Sequence, residues 1–135
     1  MKLVCCIDNN YGMTFNNRRQ SSDKIQVSNM LELLNREKIY ITDFSKDIFD
    51  DENIKIINLD EINKLKVEDY FFDENILPSK LEYKSDEIIL YKWNRDYPSD
   101  LKFDIDLLKW NLIESIDFIG SSHEKITREI YIRGK

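Results

Sequence analysis

Five apolar residues in a row, Leu3-Val4-Cys5-Cys6-Ile7, stand almost at the start of the chain. A strand with one wet face alternates apolar and polar residues, so an unbroken apolar run reads as a strand buried on both faces. Such a strand belongs in the middle of a largely parallel sheet, with other elements covering both of its sides. Successive strand side chains point to opposite faces, which places Cys5 and Cys6 poorly for sharing a metal or for pairing. They read as buried free thiols.

The rest of the chain supplies the cover. Val27, Met30, Leu31 and Leu34 recur at helical spacing. Asp23, with Gln26 three residues later, fits the start of that helix. Lys38 to Thr42, Asn53 to Asn58, Tyr70-Phe71-Phe72 and Glu87 to Trp93 read as strands, the last by its β-branched and aromatic content. Between them, Asp43 to Phe49 suits one helical turn, Asp60 suits the cap of a short helix through Leu65, and Asn75 to Lys84 around Pro78 suits a connector. The end changes character. Trp110 to Phe118 and Glu129 to Arg133 read as two long strands joined by a turn at Gly120-Ser121-Ser122-His123-Glu124-Lys125. The expectation is one α/β domain over residues 1–135: a mixed sheet, one substantial helix and a C-terminal antiparallel hairpin. Asp8 to Gln20 reads as a polar loop of thirteen residues, long enough to suggest function.

Composition removes several function classes. Twenty Lys and Arg stand against 26 Asp and Glu, a net charge of -6, which argues against nonspecific nucleic-acid or anionic-membrane binding. No apolar run approaches the roughly 20 residues of a membrane helix. The N-terminus turns polar too early for a secretory signal, so a cytoplasmic location is expected. Glycine occurs only at 12, 120 and 134, leaving no glycine-rich phosphate loop. One histidine and two adjacent cysteines cannot build a common zinc site, so no metal is expected. The acidic run Asp47, Asp50, Asp51 and Glu52 lacks the spacing and central glycine of a calcium loop and reads as a solvated turn.

Several segments taken in order resemble dihydrofolate reductase. Met1 to Met13 is similar to that family's first strand and the start of its mobile loop, and Asn17 sits where that loop leads into the first helix. Asp86-Glu87-Ile88-Ile89-Leu90-Tyr91 resembles its penultimate core strand, and Tyr97-Pro98 stands at a similar interval beyond it. Trp110-Asn111-Leu112-Ile113-Glu114 and Arg128-Glu129-Ile130-Tyr131-Ile132-Arg133 resemble its closing hairpin. The resemblance implies a reductase-like fold, a nicotinamide dinucleotide, and a helix carboxylate for the pterin ring, which a loose alignment puts near Asp23.

The departures fall on the cofactor half. Where the family has a Gly-Arg-Lys-Thr turn, this chain has Ile41-Thr42-Asp43-Phe44-Ser45, and its Gly-Gly pair is replaced in the region of Tyr70-Phe71-Phe72-Asp73-Glu74. Asp43 there adds repulsion and a Cβ where a pyrophosphate must come close. No cofactor is therefore expected. A second resemblance, through Phe15 to Ser21, Tyr91 to Arg95 and Gly120 to Thr127, is to small bacterial proteins sometimes named ribonuclease Z. That name implies a two-metal site with several histidines, which a chain whose only imidazole is His123 cannot furnish.

The expected ligand site comprises Asn17, Arg18, Arg19, Asp23, Trp93 and His123. Two guanidiniums among amides and hydroxyls suit a small anion, and Trp93 suits a planar ligand. Each has a plainer reading: a solvated basic loop pairing with nearby acids, a helix cap at Asp23, sheet packing at Trp93. Ser121-Ser122-His123-Glu124 invites a nucleophile–base reading, but consecutive side chains seldom converge, and a polar hairpin turn is preferred. The function expected is non-catalytic small-molecule binding or an accessory role. The alternatives are an NADPH-dependent reductase of a pterin-like ring with Asp23 as proton-relay acid, and a protein-interaction module using apolar surface near Tyr70–Leu77.

Overall fold

The structure is a computed structural model that describes residues 1–34, 37–49 and 53–134. Asp50, Asp51 and Glu52 of the acidic run lie outside the described residues. Along the chain, β1 (Lys2–Ile7), β2 (Gly12–Phe15) and β3 (Arg18–Arg19) precede α1 (Lys24–Leu34). Beyond α1 come β4 (Ile39–Ile41), β5 (Ile54–Ile56), β6 (Tyr70–Phe72), β7 (Glu87–Lys92), β8 (Leu101–Lys102), β9 (Trp110–Phe118) and β10 (Ile126–Arg133). Short 3-10 helices at Asp43–Ile48, Leu59–Lys64, Pro78–Lys80, Glu82–Lys84 and Leu107–Lys109 fill connections.

The apolar run does what its composition requires. β1 pairs in parallel with β6 on one side and β7 on the other, inside a seven-stranded sheet of order β5-β4-β6-β1-β7-β10-β9. Leu3, Cys5 and Ile7 enter the core on one face with Phe71, Ile88 and Leu90, while Val4 enters the other with Phe72, Ile89 and Tyr91. Met30 and Leu34 bring α1 onto that second face. Cys5 and Cys6 are free thiols on opposite faces, Cys5 fully buried and Cys6 partly so. Burial, with the Asp73 charge adding to it, pushes the Cys5 thiol well up. β10 pairs antiparallel with β7 and β9, giving the mixed sheet and terminal hairpin. Among the described residues no helix is long and apolar enough to cross a membrane.

Three expectations need correction. Asp8 to Gln20 is not a loop: β2 and β3 form a hairpin, and β2 also pairs with β8 in a second, three-stranded sheet. Asn16 and Asn17 make its two-residue turn at φ 50 and 59, the left-handed geometry that matches strand twist and that asparagine tolerates. The helix at Leu59–Lys64 is capped by Asn58, not Asp60; Glu61 reciprocates by accepting from the Asn58 amide at 3.0 Å. The expected apolar face of α1 forms, with Met30 and Leu34 buried, Leu31 packed against them and Val27 half-buried, and Gln26 joins the buried row. The last strand begins at Ile126, three residues before Glu129.

Candidate functional site

The functional interest lies at the carboxyl ends of the parallel strands. β1 ends at Asp8, a buried residue whose Oδ1 accepts from the amides of Asn10 (2.9 Å) and Gly12 (2.7 Å). Its Oδ2 accepts from the Tyr97 amide at 3.0 Å and Gln20 Nε2 at 3.3 Å. One carboxylate thus turns the chain into the β2–β3 hairpin and holds the segment after β7 against it. A Cβ on Gly12 would collide with Gln20 and Ser99, so the turn needs glycine for space.

The start of α1 is fastened to the β9–β10 turn by Asp23. Its Oδ1 accepts from the amides of Ile25 (2.9 Å), Gln26 (3.1 Å) and Ser121 (3.0 Å). Its Oδ2 accepts from the Ser122 amide (2.9 Å), the Ser122 hydroxyl (3.2 Å) and His123 Nδ1 (3.0 Å). Burial pushes this carboxyl up, but the Ser122 and Ser121 amides, the imidazole and the Gln26 amide outweigh it and hold Asp23 well below the usual carboxylate range. Gly120 completes the knot, because a Cβ there would press on Asp23 Oδ2 at 2.5 Å. His123 is buried and stacks on Trp93, with centroids 4.6 Å apart and planes 21° apart. Its Nε2 lies 3.0 Å from both Ser21 Oγ and the Tyr97 hydroxyl.

A second cluster closes the end of β6. Arg19 points its Nε and Nη2 at the two oxygens of Glu74, each at 2.8 Å, and its Nη1 and Nη2 at Asp47 at 2.8 and 2.9 Å. Ser45, from the 3-10 helix after β4, donates to Glu74 Oε1 at 2.7 Å. Asp73, beside Glu74, accepts from the amides of Asn75 (3.2 Å) and Ile76 (2.8 Å), while its buried Oδ2 has no hydrogen-bond partner. Burial, reinforced by Glu74, pushes the Asp73 carboxyl up to about 8 despite those amides.

Two clefts flank the Arg19–Asp47 pair. One, of about 370 Å³, is lined by Arg19, Ser22, Asp23, Lys24, Val27, Asp47 and Ile48. The other, of about 420 Å³, is lined by Asn17, Arg18, Arg19 and Asp43, Phe44, Lys46, Asp47. Of the residues expected from sequence, Asn17, Arg18, Arg19 and Asp23 border these clefts. Trp93 and His123 lie buried behind Asp23, as packing and hydrogen-bonding partners of the knot. Tyr70 to Glu74 is buried and Asn75 to Leu77 half-buried, so this side presents no exposed apolar face. Sequence reasoning missed Asp8, Ser21, Tyr97 and the Glu74 clamp as site components. For Asp8 a signal existed, an Asp at a strand end followed by Asn-Asn-Tyr-Gly, which favours an Asx-type turn.

Among solved structures, the chain is similar to dihydrofolate reductase from Enterococcus faecalis complexed with NADP(H) and RAB-propyl, at a TM-score of 0.73 and 9% identity. The match covers 99% of this chain and 96% of that one. No protein-family model and no curated protein sequence matches the chain. The fold is dihydrofolate reductase-like, as the sequence resemblance implies.

Proposed function

We propose that the chain works as a single-domain, cytoplasmic small-molecule-binding or accessory protein on a dihydrofolate reductase-like fold, and not as a nicotinamide-dependent reductase. The observation that carries this reading is the Glu74–Arg19–Ser45 clamp at the end of β6. Ligands of open α/β sheets enter outside the carboxyl ends of the strands, and β1 and β6 lie side by side here. A dinucleotide pyrophosphate needs close backbone approach and positive dipole ends. The β6 end offers Asp73 and Glu74 instead, and the β4 end offers Thr42, Asp43 and Phe44, with no glycine in either stretch. Glu74 cannot swing aside without leaving Arg19 Nε and the Ser45 hydroxyl unpaired. The residues present do not fit a dinucleotide, and they support no hydride-transfer step.

The cleft beside α1 suits a smaller guest. Arg19, Ser22 and Lys24 offer donors, and Val27 and Ile48 offer apolar contact. Asp47 is 65% exposed at its side chain, so an incoming carboxylate or phosphate can take its place on the Nη1–Nη2 fork of Arg19. A small anion with a modest apolar body is the expected ligand.

Thermal-shift titrations with inorganic phosphate, short mono- and dicarboxylates, nucleotides and folates test this. A ligand present at 100 times its dissociation constant stabilises by about 2.7 kcal/mol. Asp47→Asn should tighten binding by removing the internal competitor, and Arg19→Gln should weaken it at least tenfold. The reading fails if no anion shifts the transition, or if Arg19→Gln binds as well as the unaltered chain.

A further inference from the structure

Ser21, His123 and Asp23 stand in a line that the ligand-binding reading does not use. His123 Nδ1 lies 3.0 Å from Asp23 Oδ2, and His123 Nε2 lies 3.0 Å from Ser21 Oγ. Asp23 is an ionised acceptor, so it holds the proton on Nδ1 and leaves the Nε2 lone pair facing the Ser21 and Tyr97 hydroxyls, each at 3.0 Å. The Tyr97 hydroxyl, 3.4 Å from Ser21 Oγ, donates to the same oxygen. Trp93 fixes the plane of the imidazole by stacking. Four backbone amides already fasten Asp23 to the helix start and the turn. The His123 arm leads from that knot to the hydroxyl of half-buried Ser21, whose chain neighbour Ser22 lines the 370 Å³ cleft.

We propose that Ser21 is an activated nucleophile that accepts acyl groups from small esters. His123 is its general base and Asp23 the positioning residue behind the ring. As the Ser21 Oγ–acyl bond forms, the Oγ proton passes to His123 Nε2, and Tyr97 donates to the carbonyl oxygen that becomes negative. The acyl–alkoxy bond then breaks, and the departing alkoxide takes the proton from Nε2. Water repeats the sequence on the acyl-serine, releasing a carboxylic acid and restoring Ser21. Every step is redox-neutral and needs only an ester and water.

Labelling with an alkyl fluorophosphonate and turnover of p-nitrophenyl acetate test the proposal. The expected result is a single adduct mapped to Ser21 in the folded chain, absent after denaturation, with ester turnover falling more than tenfold in Ser21→Ala. Ser21→Ala leaves the Asp23–His123 pair in place, and its thermal transition checks that it is folded. In Asp23→Asn, shown folded by its thermal transition, the labelling rate should fall because the ring loses the acceptor that positions it, and Asp23→Glu, which restores the carboxylate, should recover part of that rate. An adduct at another residue, a folded chain that stays unlabelled, or a Ser21→Ala variant as active as the original overturns the proposal. This does not rest on the anion-binding reading: phosphate and carboxylate titrations report on Arg19, whereas the adduct reports on Ser21.

Discussion

Asp23 and Asp73 are both nearly inaccessible, at 3% and 1% exposure, and both sit where the chain enters or leaves a regular element. Their surroundings differ. Asp23 receives six donors, four of them backbone amides and one an imidazole. Asp73 receives two amides and keeps one oxygen without a partner. Burial opposes the charged form in both, and the number of donors decides the outcome. Asp23 stays an anion and fastens α1 to a turn about 100 residues away. Asp73, pushed up to about 8, is a neutral acid at pH 7, beside a Glu74 whose charge is answered by Arg19. One carboxyl group ties distant segments together; the other holds only the local turn after β6.

The largest break in this comparison is Asp23→Asn. It removes the charge on which six donors converge and turns an NH2 group toward them, which should cost about 3 kcal/mol in urea unfolding. The pH dependence carries the same sign. A carboxyl with a depressed folded-state value contributes stability that is complete above its unfolded value of about 4 and is lost as pH falls through the folded value. The Asn variant should therefore lack part of the acid-unfolding limb, and an identical limb in both chains would contradict the knot.

Asp73→Asn is the smaller and opposite change. A raised carboxyl binds its proton when folded but not when unfolded, so stability falls as pH rises from about 4 towards about 8. The amide keeps the neutral shape without that penalty. At pH 9 the variant should be more stable by about 1–3 kcal/mol, with little difference at pH 4. Denaturation series at the two pH values separate these outcomes, and an equal effect at both would contradict a neutral Asp73.

Local features of this molecule were legible in its sequence and long-range ones were not. The unbroken run at Leu3–Ile7 revealed a central strand because five apolar residues in succession, too few for a helix buried all round, suit a strand buried on both faces. The Asp23–Gln26 spacing marked the helix start, and that cap forms. The β2–β3 hairpin was harder: strands of four and two residues carry no readable alternation, although an Asn-Asn pair between Phe15 and Arg18 was a usable turn signal. Nothing in the sequence could pair Arg19 with Glu74, 55 residues away, or give His123 its carboxylate partner, 100 residues away. Arg18 and Arg19 looked equivalent, yet only Arg19 points at the β6 end, because alternate residues of β3 face opposite ways.

The proposal that the β6 end admits no dinucleotide meets its most direct test in isothermal titration with NADPH at neutral pH. No binding is expected up to about millimolar cofactor, against typical cofactor affinities in the micromolar range or tighter. Saturable binding with a micromolar dissociation constant, abolished by competition with NADP+, would contradict the proposal that the Arg19–Glu74 clamp excludes the cofactor there.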